Sequence, residues 1–181
     1  FLEDAALSMR NLANLHSNLH RYELAEKEYN EAIEIYHKLA KKNPNAFLPK
    51  IALNTRDIAN IHWALGKYDV AEKEYTNVIS IYNTLAVNLP NSYNTKIADA
   101  MNILAYSQYE LGKCELVIST IEEAISLDPI AEYYDSKGEF LMLFGKKEEA
   151  KAVYDKILEL EPTYFDNNHT DFYKLLFGET E

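Results

Sequence analysis

Residues 68–82, YDVAEKEYTNVISIY, closely repeat residues 22–36, YELAEKEYNEAIEIY. The alignment continues without a gap in both directions. Residues 1–45 align with residues 47–91 at the same offset of 46 positions. Self-similarity at a fixed period predicts an array of repeated structural units, each packed mainly on its neighbours.

Two further copies follow these two. The third keeps the offset, with Tyr93 in the place of Phe47 and Gly112 in the place of Gly66. The fourth is shorter, because Gly145 stands only 33 positions after Gly112. Four copies are therefore expected, at about 1–44, 45–90, 91–128 and 129–161.

The two ends of the chain carry separate expectations. Phe1 aligns with a position inside a copy rather than at its start, so we expect the native array to continue upstream and this sequence to be a fragment of a longer chain. Residues 162–178 are expected to contain a last helix that covers the final copy, as terminal caps of repeat arrays do. Its apolar residues would be Phe172, Leu175, Leu176 and Phe177.

Each copy has the apolar spacing of two helices. Residues 47–65 place apolar side chains three and four apart, which is one helical face. Gly66 suits the left-handed position that ends a helix, and Pro90 is expected to end the second helix. Asp128-Pro129 resembles an N-cap followed by proline and predicts a helix start. No segment alternates as a strand would, so the fold class is all-α.

At these positions the sequence resembles the tetratricopeptide repeat (TPR) family. The second copy shows the family pattern as Ile58-Ala59-Asn60-Ile61-His62, Gly66-Lys67-Tyr68, Ala71 with Tyr75, and Pro90. The resemblance implies a right-handed α-solenoid of about four helical hairpins with a concave face. The long copies are similar to those of kinesin light chains and large bacterial TPR proteins. Small core residues, at Ala13, Ala59, Ala105 and Gly138, would let paired helices approach closely.

Composition limits the class of partner. A formal net charge of −11 argues against binding to a nucleic-acid backbone. The longest apolar run, residues 140–144, is far shorter than the roughly 20 residues of a membrane helix, so no membrane partner is expected. Cys114 is the only cysteine, which excludes an internal disulfide and is compatible with a reducing compartment such as the cytoplasm.

No residue pattern points to catalysis, a cofactor or a metal. His16 and His62 recur at the repeat period and are interpreted as packing residues of the hairpins. Residues 26–28 and 72–74, both Glu-Lys-Glu, are expected on solvated helix surface, and Cys114 is expected as a small core residue. We find no phosphate loop, nucleophile elbow or metal-ligand spacing, so the chain is not expected to be an enzyme.

The resemblance implies that the first helix of each hairpin lines the concave groove. Arginine binds carboxylates through two hydrogen bonds, asparagine offers a peptide backbone both a donor and an acceptor, and aromatic side chains supply large contact area. Applied residue by residue, the family's lining positions give the candidates Arg10, Asn14, Arg56, Asn60, Trp63, Asn102, Tyr106, Tyr109, Asp135 and Glu139.

Two points limit what this groove is expected to bind. Arg10 and Arg56 could simply pair with carboxylates on neighbouring helices. The carboxylate clamp by which some TPR proteins hold the acidic tail of heat-shock chaperones is not expected here. Arg10 and Asn14 fit its first two positions, but the remaining positions fail at Asp57, Asp99 and Ile103.

The sequence therefore predicts a protein- or peptide-binding scaffold with no cofactor and an unidentified protein or peptide ligand. An acidic end of that ligand would lie at Arg10 and Arg56, and basic residues would lie at Asp135 and Glu139. Two alternatives stay open: a regulatory sensor segment of a larger signalling or transcriptional protein, and a self-assembly module that associates through an open N-terminal end.

Overall fold

The computed structural model describes residues 1–87, 89, 91–167 and 171–177, and this part of the chain forms an all-α, right-handed solenoid. Each of the first seven helices packs against the next, as hairpins stacked in series do. None of the helices in the described ranges is both long enough and apolar enough to cross a membrane. The helices are α1 (Leu2–Asn18), α2 (Tyr22–Ala40), α3 (Pro44–Ala64), α4 (Tyr68–Ala86), α5 (Asn94–Glu110), α6 (Cys114–Leu127), α7 (Ala131–Leu143), α8 (Lys147–Leu160), α9 (Tyr164–Asn167) and α10 (Asp171–Phe177).

Small residues bring the paired helices together, as the sequence predicted. Ala13, Ala59 and Ala105 are fully buried. Gly138 takes their place in α7, and a Cβ atom there would lie 2.6 Å from Cε1 of Tyr154 on α8. The close approach of α7 to α8 therefore depends on the missing side chain.

A left-handed residue ends the first helix of every hairpin. Gly66, Gly112 and Gly145 have φ values of 72°, 71° and 75°. His20 holds the same place after α1 with φ of 56°, a conformation that a residue with a Cβ adopts at some energetic cost. Its ring Nδ1 lies 2.8 Å from the Tyr22 hydroxyl.

The additional residues of the long copies lengthen both helices. α2 and α4 each contain 19 residues, whereas α6 and α8 each contain 14. Among the first helices, α3 has 21 residues and α7 has 13.

The prolines expected at helix ends follow the sequence-based prediction only in part. α7 begins at Ala131, not at Pro129, because Ile130 is still extended. Pro44 begins α3 behind the N-cap Asn43, whose side chain accepts a hydrogen bond from the Ala46 amide. Pro90, expected to end the second helix of copy two, lies outside the described residues, as does His169.

The C-terminal segment covers the last hairpin with aromatic side chains. Tyr164 and Phe165 are buried, and Phe165 stacks on Tyr173 with ring centroids 3.8 Å apart. Phe172, Leu176 and Phe177 pack against the cluster that contains Tyr154 and Ile157. Leu175 does not, and its expected place in the cap is wrong because its side chain is exposed to solvent.

Two further expectations about individual side chains are wrong. Cys114 is exposed at the first residue of α6, so it fills no core space. In the Glu-Lys-Glu segments only Lys27 and Lys73 are solvated as expected. All four glutamates pair with other side chains: Glu28 with His16 at 2.8 Å, Glu74 and Glu26 with His62 at 2.8 Å and 3.5 Å, and Glu72 with Lys113 at 2.6 Å.

Candidate binding groove

A polar pocket of about 360 Å³ lies between the first and second hairpins. Four of the ten candidate residues line it: Arg10 and Asn14 on α1, and Arg56 and Asn60 on α3. They lie together because the two pairs occupy the same positions in successive repeats. We call this the polar pocket, and its lining is Arg10, Asn14, Ser17, Asn18, Tyr29, Arg56, Asp57 and Asn60.

Both arginines of the polar pocket bind one carboxylate. Arg10 Nη2 lies 3.0 Å from Oδ2 of Asp57, and Arg56 Nη2 lies 2.9 Å from its Oδ1. Burial alone would lower the pKa of Arg56, but the hydrogen bond and the charge of Asp57 outweigh burial and raise it. The two arginines therefore pair with a carboxylate of the chain itself, which is the alternative that the sequence had left open.

A tyrosine fixes the side-chain amide of each groove asparagine. Tyr29 donates its hydroxyl proton to Oδ1 of Asn14 at 2.5 Å, and Tyr75 donates to Oδ1 of Asn60 at 2.5 Å. Burial raises the pKa of Tyr29 to about 12 and also raises that of Tyr75, so both hydroxyls keep their protons. The acceptor of each amide is thus engaged, and its NH₂ group remains as the donor for a ligand.

An apolar pocket of about 350 Å³ lies between the second and third hairpins. We call it the apolar pocket, and its lining is Asn60, Trp63, Tyr75, Ile103 and Tyr106. Trp63 packs edge-to-face against Tyr68, with ring centroids 5.9 Å apart. Its indole Nε1–H is buried and has no hydrogen-bond acceptor. Asn60 lines both pockets, so the two lie next to each other on either side of this residue.

The acidic candidates are held by tyrosines rather than gathered around a pocket. Tyr106 donates a hydrogen bond to Oε2 of Glu139 at 2.6 Å, and Tyr164 donates to Oδ2 of Asp135 at 3.2 Å. Burial, followed by these hydrogen bonds and charges, raises the pKa of both tyrosines. Neither acidic residue lines the polar or the apolar pocket.

Two other candidates also lie apart from the pockets. Tyr109 packs against Phe140 and Phe144, with ring centroids 5.8 Å and 6.0 Å away. Asn102 lines neither pocket, although its Oδ1 is buried without a hydrogen-bond partner. Within the described residues, no group of three or more His, Cys, Asp or Glu side chains could hold a metal ion.

Six lining residues were not among the ten candidates, and three of these make the hydrogen bonds that shape the site: Tyr29, Tyr75 and Asp57. A signal existed for the tyrosines, since each stands 15 positions after its asparagine in two successive copies. Asp57 had no such signal, because the first copy has no acidic residue at the aligned position, Asn11.

Comparison with known proteins places these observations in a family. One model described as "Tetratricopeptide repeat" matches residues 57–84 and 131–164, and a second with the same description matches residues 5–45. Together the matches cover more than half of the chain. No curated protein sequence matches it.

Solved structures of low sequence identity share the fold. BtubC (BKLC) from P. vanneervenii is 17% identical with a TM-score of 0.71, over 92% of this chain and 66% of that one. A putative kinesin light chain with TPR-like repeats, from Podosopora anserina, is 13% identical with a TM-score of 0.68, over 86% and 74%.

A third similar structure contains a bound peptide. It is the Rap conjugation gene regulator of the plasmid pLS20 in complex with the Phr* peptide, 16% identical with a TM-score of 0.72. The match covers 98% of this chain and 48% of the regulator. This chain thus spans about half of the regulator and about two thirds of BtubC.

Proposed function

This chain belongs to the tetratricopeptide repeat family, and from that premise we propose that its groove binds a peptide segment of a protein partner. Proteins of this family are generally interaction scaffolds rather than enzymes. The proposed contact residues are those of the polar and apolar pockets, with Asn60 at their junction. The remaining candidates, Asn102, Tyr109, Asp135 and Glu139, would contact the part of a ligand that extends toward the C-terminal hairpins.

The position of Asn60 in the lining of both pockets is the observation that carries this proposal. An extended peptide presents carbonyl oxygens along its backbone and side chains on alternate sides. The amide NH₂ groups of Asn14 and Asn60 would donate to such carbonyls. An apolar ligand side chain would fill the space between Trp63 and Tyr106.

The volume of the apolar pocket supports a single large side chain as its occupant. A cavity of about 350 Å³ is at the lower end of the range of ligand pockets, about 300–1,000 Å³. Buried aromatic side chains at the centre of an interface provide most of the binding energy in many complexes. Trp63 would therefore be the main hydrophobic contact.

Selection from a displayed library of random 12-residue peptides tests this function. We expect the wild-type protein to enrich peptides that share an apolar or aromatic residue. Asn60→Ala and Trp63→Ala should each lose those peptides while keeping helical circular dichroism. Asn83→Ala changes an exposed asparagine on α4 and should leave binding unchanged. Equal retention by Trp63→Ala would place binding on another face.

A second function, association through α1, is favoured by its exposed leucines. Leu12 and Leu15 are 45% and 53% exposed, whereas the aligned Ile58 and Ile61 on α3 are 4% and 2% exposed against the first hairpin. A continuous exposed apolar surface of this kind often marks an interaction site.

Light scattering after size-exclusion chromatography tests this association. The mass should rise above 20.9 kDa with concentration for the wild type. It should stay at the monomer value for Leu12→Glu/Leu15→Glu, while Leu116→Glu, an exposed leucine on α6, should behave as wild type. A concentration-independent monomer would exclude this second function.

A further inference from the structure

We propose that Asp57 occupies the place of a ligand carboxylate between Arg10 and Arg56, so that the polar pocket selects peptides without an acidic side chain at this point. This specificity rests on the proposed peptide-binding function. It replaces the sequence-based expectation of an acidic ligand end at the two arginines.

The hydrogen bonds of Asp57 are those that a bound carboxylate would make. Oδ2 accepts from Arg10 Nη2 at 3.0 Å. Oδ1 accepts from Arg56 Nη2 at 2.9 Å and from Arg56 Nε at 3.3 Å. Both oxygens are engaged, and the Asp57 side chain is nearly buried. A ligand carboxylate entering the pocket would have to displace Asp57, which is already hydrogen-bonded to both arginines and largely shielded from water.

The charge around the two arginines is balanced by acidic neighbours. Besides Asp57, the charge of Asp99 on α5 acts on Arg56. Asp99 itself accepts a hydrogen bond from the Tyr133 hydroxyl at 2.6 Å. Two carboxylates thus offset two guanidinium groups, and a groove without surplus positive charge gives an acidic ligand no electrostatic attraction.

The remaining free groups of the polar pocket suit a neutral backbone. The NH₂ groups of Asn14 and Asn60 are donors whose orientation is set by Tyr29 and Tyr75. Carbonyl oxygens of a peptide accept such hydrogen bonds without adding charge. The matching ligand is an extended, uncharged stretch whose apolar side chain enters the apolar pocket.

Asp57→Asn tests this assignment because it keeps the side-chain shape and removes the charge. The random 12-residue peptide library is selected in parallel on wild type, Asp57→Asn and the control Asp69→Asn. Asp69 is an exposed residue of α4 that pairs only loosely with Lys73. We expect Asp and Glu to be about fivefold more frequent in peptides selected by Asp57→Asn than in those selected by wild type, since two unbalanced arginines attract carboxylates. Asp69→Asn should select the same peptides as wild type.

Three results would overturn the inference, and they separate it from the proposed function. A wild-type protein that already selects acidic peptides would contradict the role of Asp57 but leave peptide binding intact. Asp57→Asn selecting no more acidic peptides than wild type would do the same. A wild-type protein that enriches no peptide would contradict peptide binding itself, and the specificity with it.

Arg56→Gln provides a second variant in case Asp57→Asn loses its helical circular dichroism. Arg10 still holds Asp57 in this variant, and one positive charge is removed. Lys and Arg should then be about threefold more frequent in the selected peptides than with wild type, because one oxygen of Asp57 no longer has a cationic partner. Unchanged selection by a folded Arg56→Gln protein would contradict the proposal.

Discussion

The hydroxyl of Tyr75 on α4 donates to Oδ1 of Asn60 on α3 at 2.5 Å, which turns the Asn60 amide so that its NH₂ group is free for a ligand. The same relationship links Tyr29 to Asn14 one repeat earlier. In the third repeat it is absent, because Tyr106 and Ile121 stand at the aligned positions. Within the described residues, this tyrosine–asparagine pair thus occurs only in the two hairpins that form the polar pocket.

Tyr75→Phe should weaken peptide binding although Tyr75 makes its hydrogen bond to Asn60 rather than to a ligand. Loss of this hydrogen bond should cost about 1 kcal/mol of stability and lower peptide affinity several-fold, since the amide can rotate to present its oxygen. Isothermal titration with a library-selected peptide measures the affinity, and urea unfolding measures the stability. Affinity equal to wild type, with the stability loss present, would contradict the orienting role.

Gly138→Ala should destabilise the fourth hairpin. Helix propensity alone would make alanine better than glycine by about 1 kcal/mol in a helix interior. The added Cβ, however, would lie 2.6 Å from the ring of Tyr154, which is fully buried. We expect a net loss of about 1–3 kcal/mol, as for other overpacked cores. A stabilised variant in urea unfolding would show that propensity decides instead.

His20→Gly should stabilise the first hairpin. His20 has a φ of 56° where the other hairpins have glycine, and a side chain in this conformation costs roughly 1 kcal/mol. Loss of the exposed contact with Tyr22 would offset only part of that gain. Thermal unfolding should show a higher midpoint for His20→Gly and a lower one for the reciprocal Gly66→His. A lower midpoint for His20→Gly would mean that the His20–Tyr22 contact outweighs the backbone strain.

Stability should fall at alkaline pH because of the buried tyrosines. Burial, and secondarily the charge of Asp57, raises the pKa of Tyr29 from 10.0 to about 12. The folded state therefore holds this proton more tightly than the unfolded state, so its contribution to stability is complete below pH 10 and is lost as pH rises toward 12. Absorbance at 295 nm should show Tyr29 ionising later in the wild type than in a urea-unfolded sample. Simultaneous ionisation of all fourteen tyrosines near pH 10 would contradict this.

The fold could be predicted because the repeat made every local signal appear several times. The small residues at Ala13, Ala59 and Ala105, and the left-handed Gly66, each recur at the repeat period, and their burial and dihedral angles agree with the prediction. Leu175 was misjudged because it lies in no repeated context, and Cys114 because its aligned residues, Tyr22 and Tyr68, are themselves only half-buried at a helix start. Their side-chain directions depend on how the ends of particular helices pack.

Six of the ten candidate residues line the two pockets, but the chemical environment of these pockets could not be predicted from the sequence. Arg10 and Arg56 do line a pocket, yet both bind Asp57, which has no acidic counterpart in the first copy. The hydrogen bond between Arg10 and Asp57 joins residues 47 positions apart, and such a contact depends on the stacking of two hairpins. Charge balance of this kind follows from the assembled superhelix and not from the alignment of its repeats.

Trp63 allows the central claim to be tested directly, because it is the only tryptophan of the chain and lines the apolar pocket. A library-selected peptide without tryptophan is titrated into the wild-type protein while the Trp63 emission is recorded. If the peptide fills this pocket, the emission should shift to shorter wavelength and saturate, and Asn60→Ala should move the midpoint to a higher peptide concentration. Saturable binding by calorimetry with no change in Trp63 emission would contradict the account and place the ligand elsewhere on the solenoid.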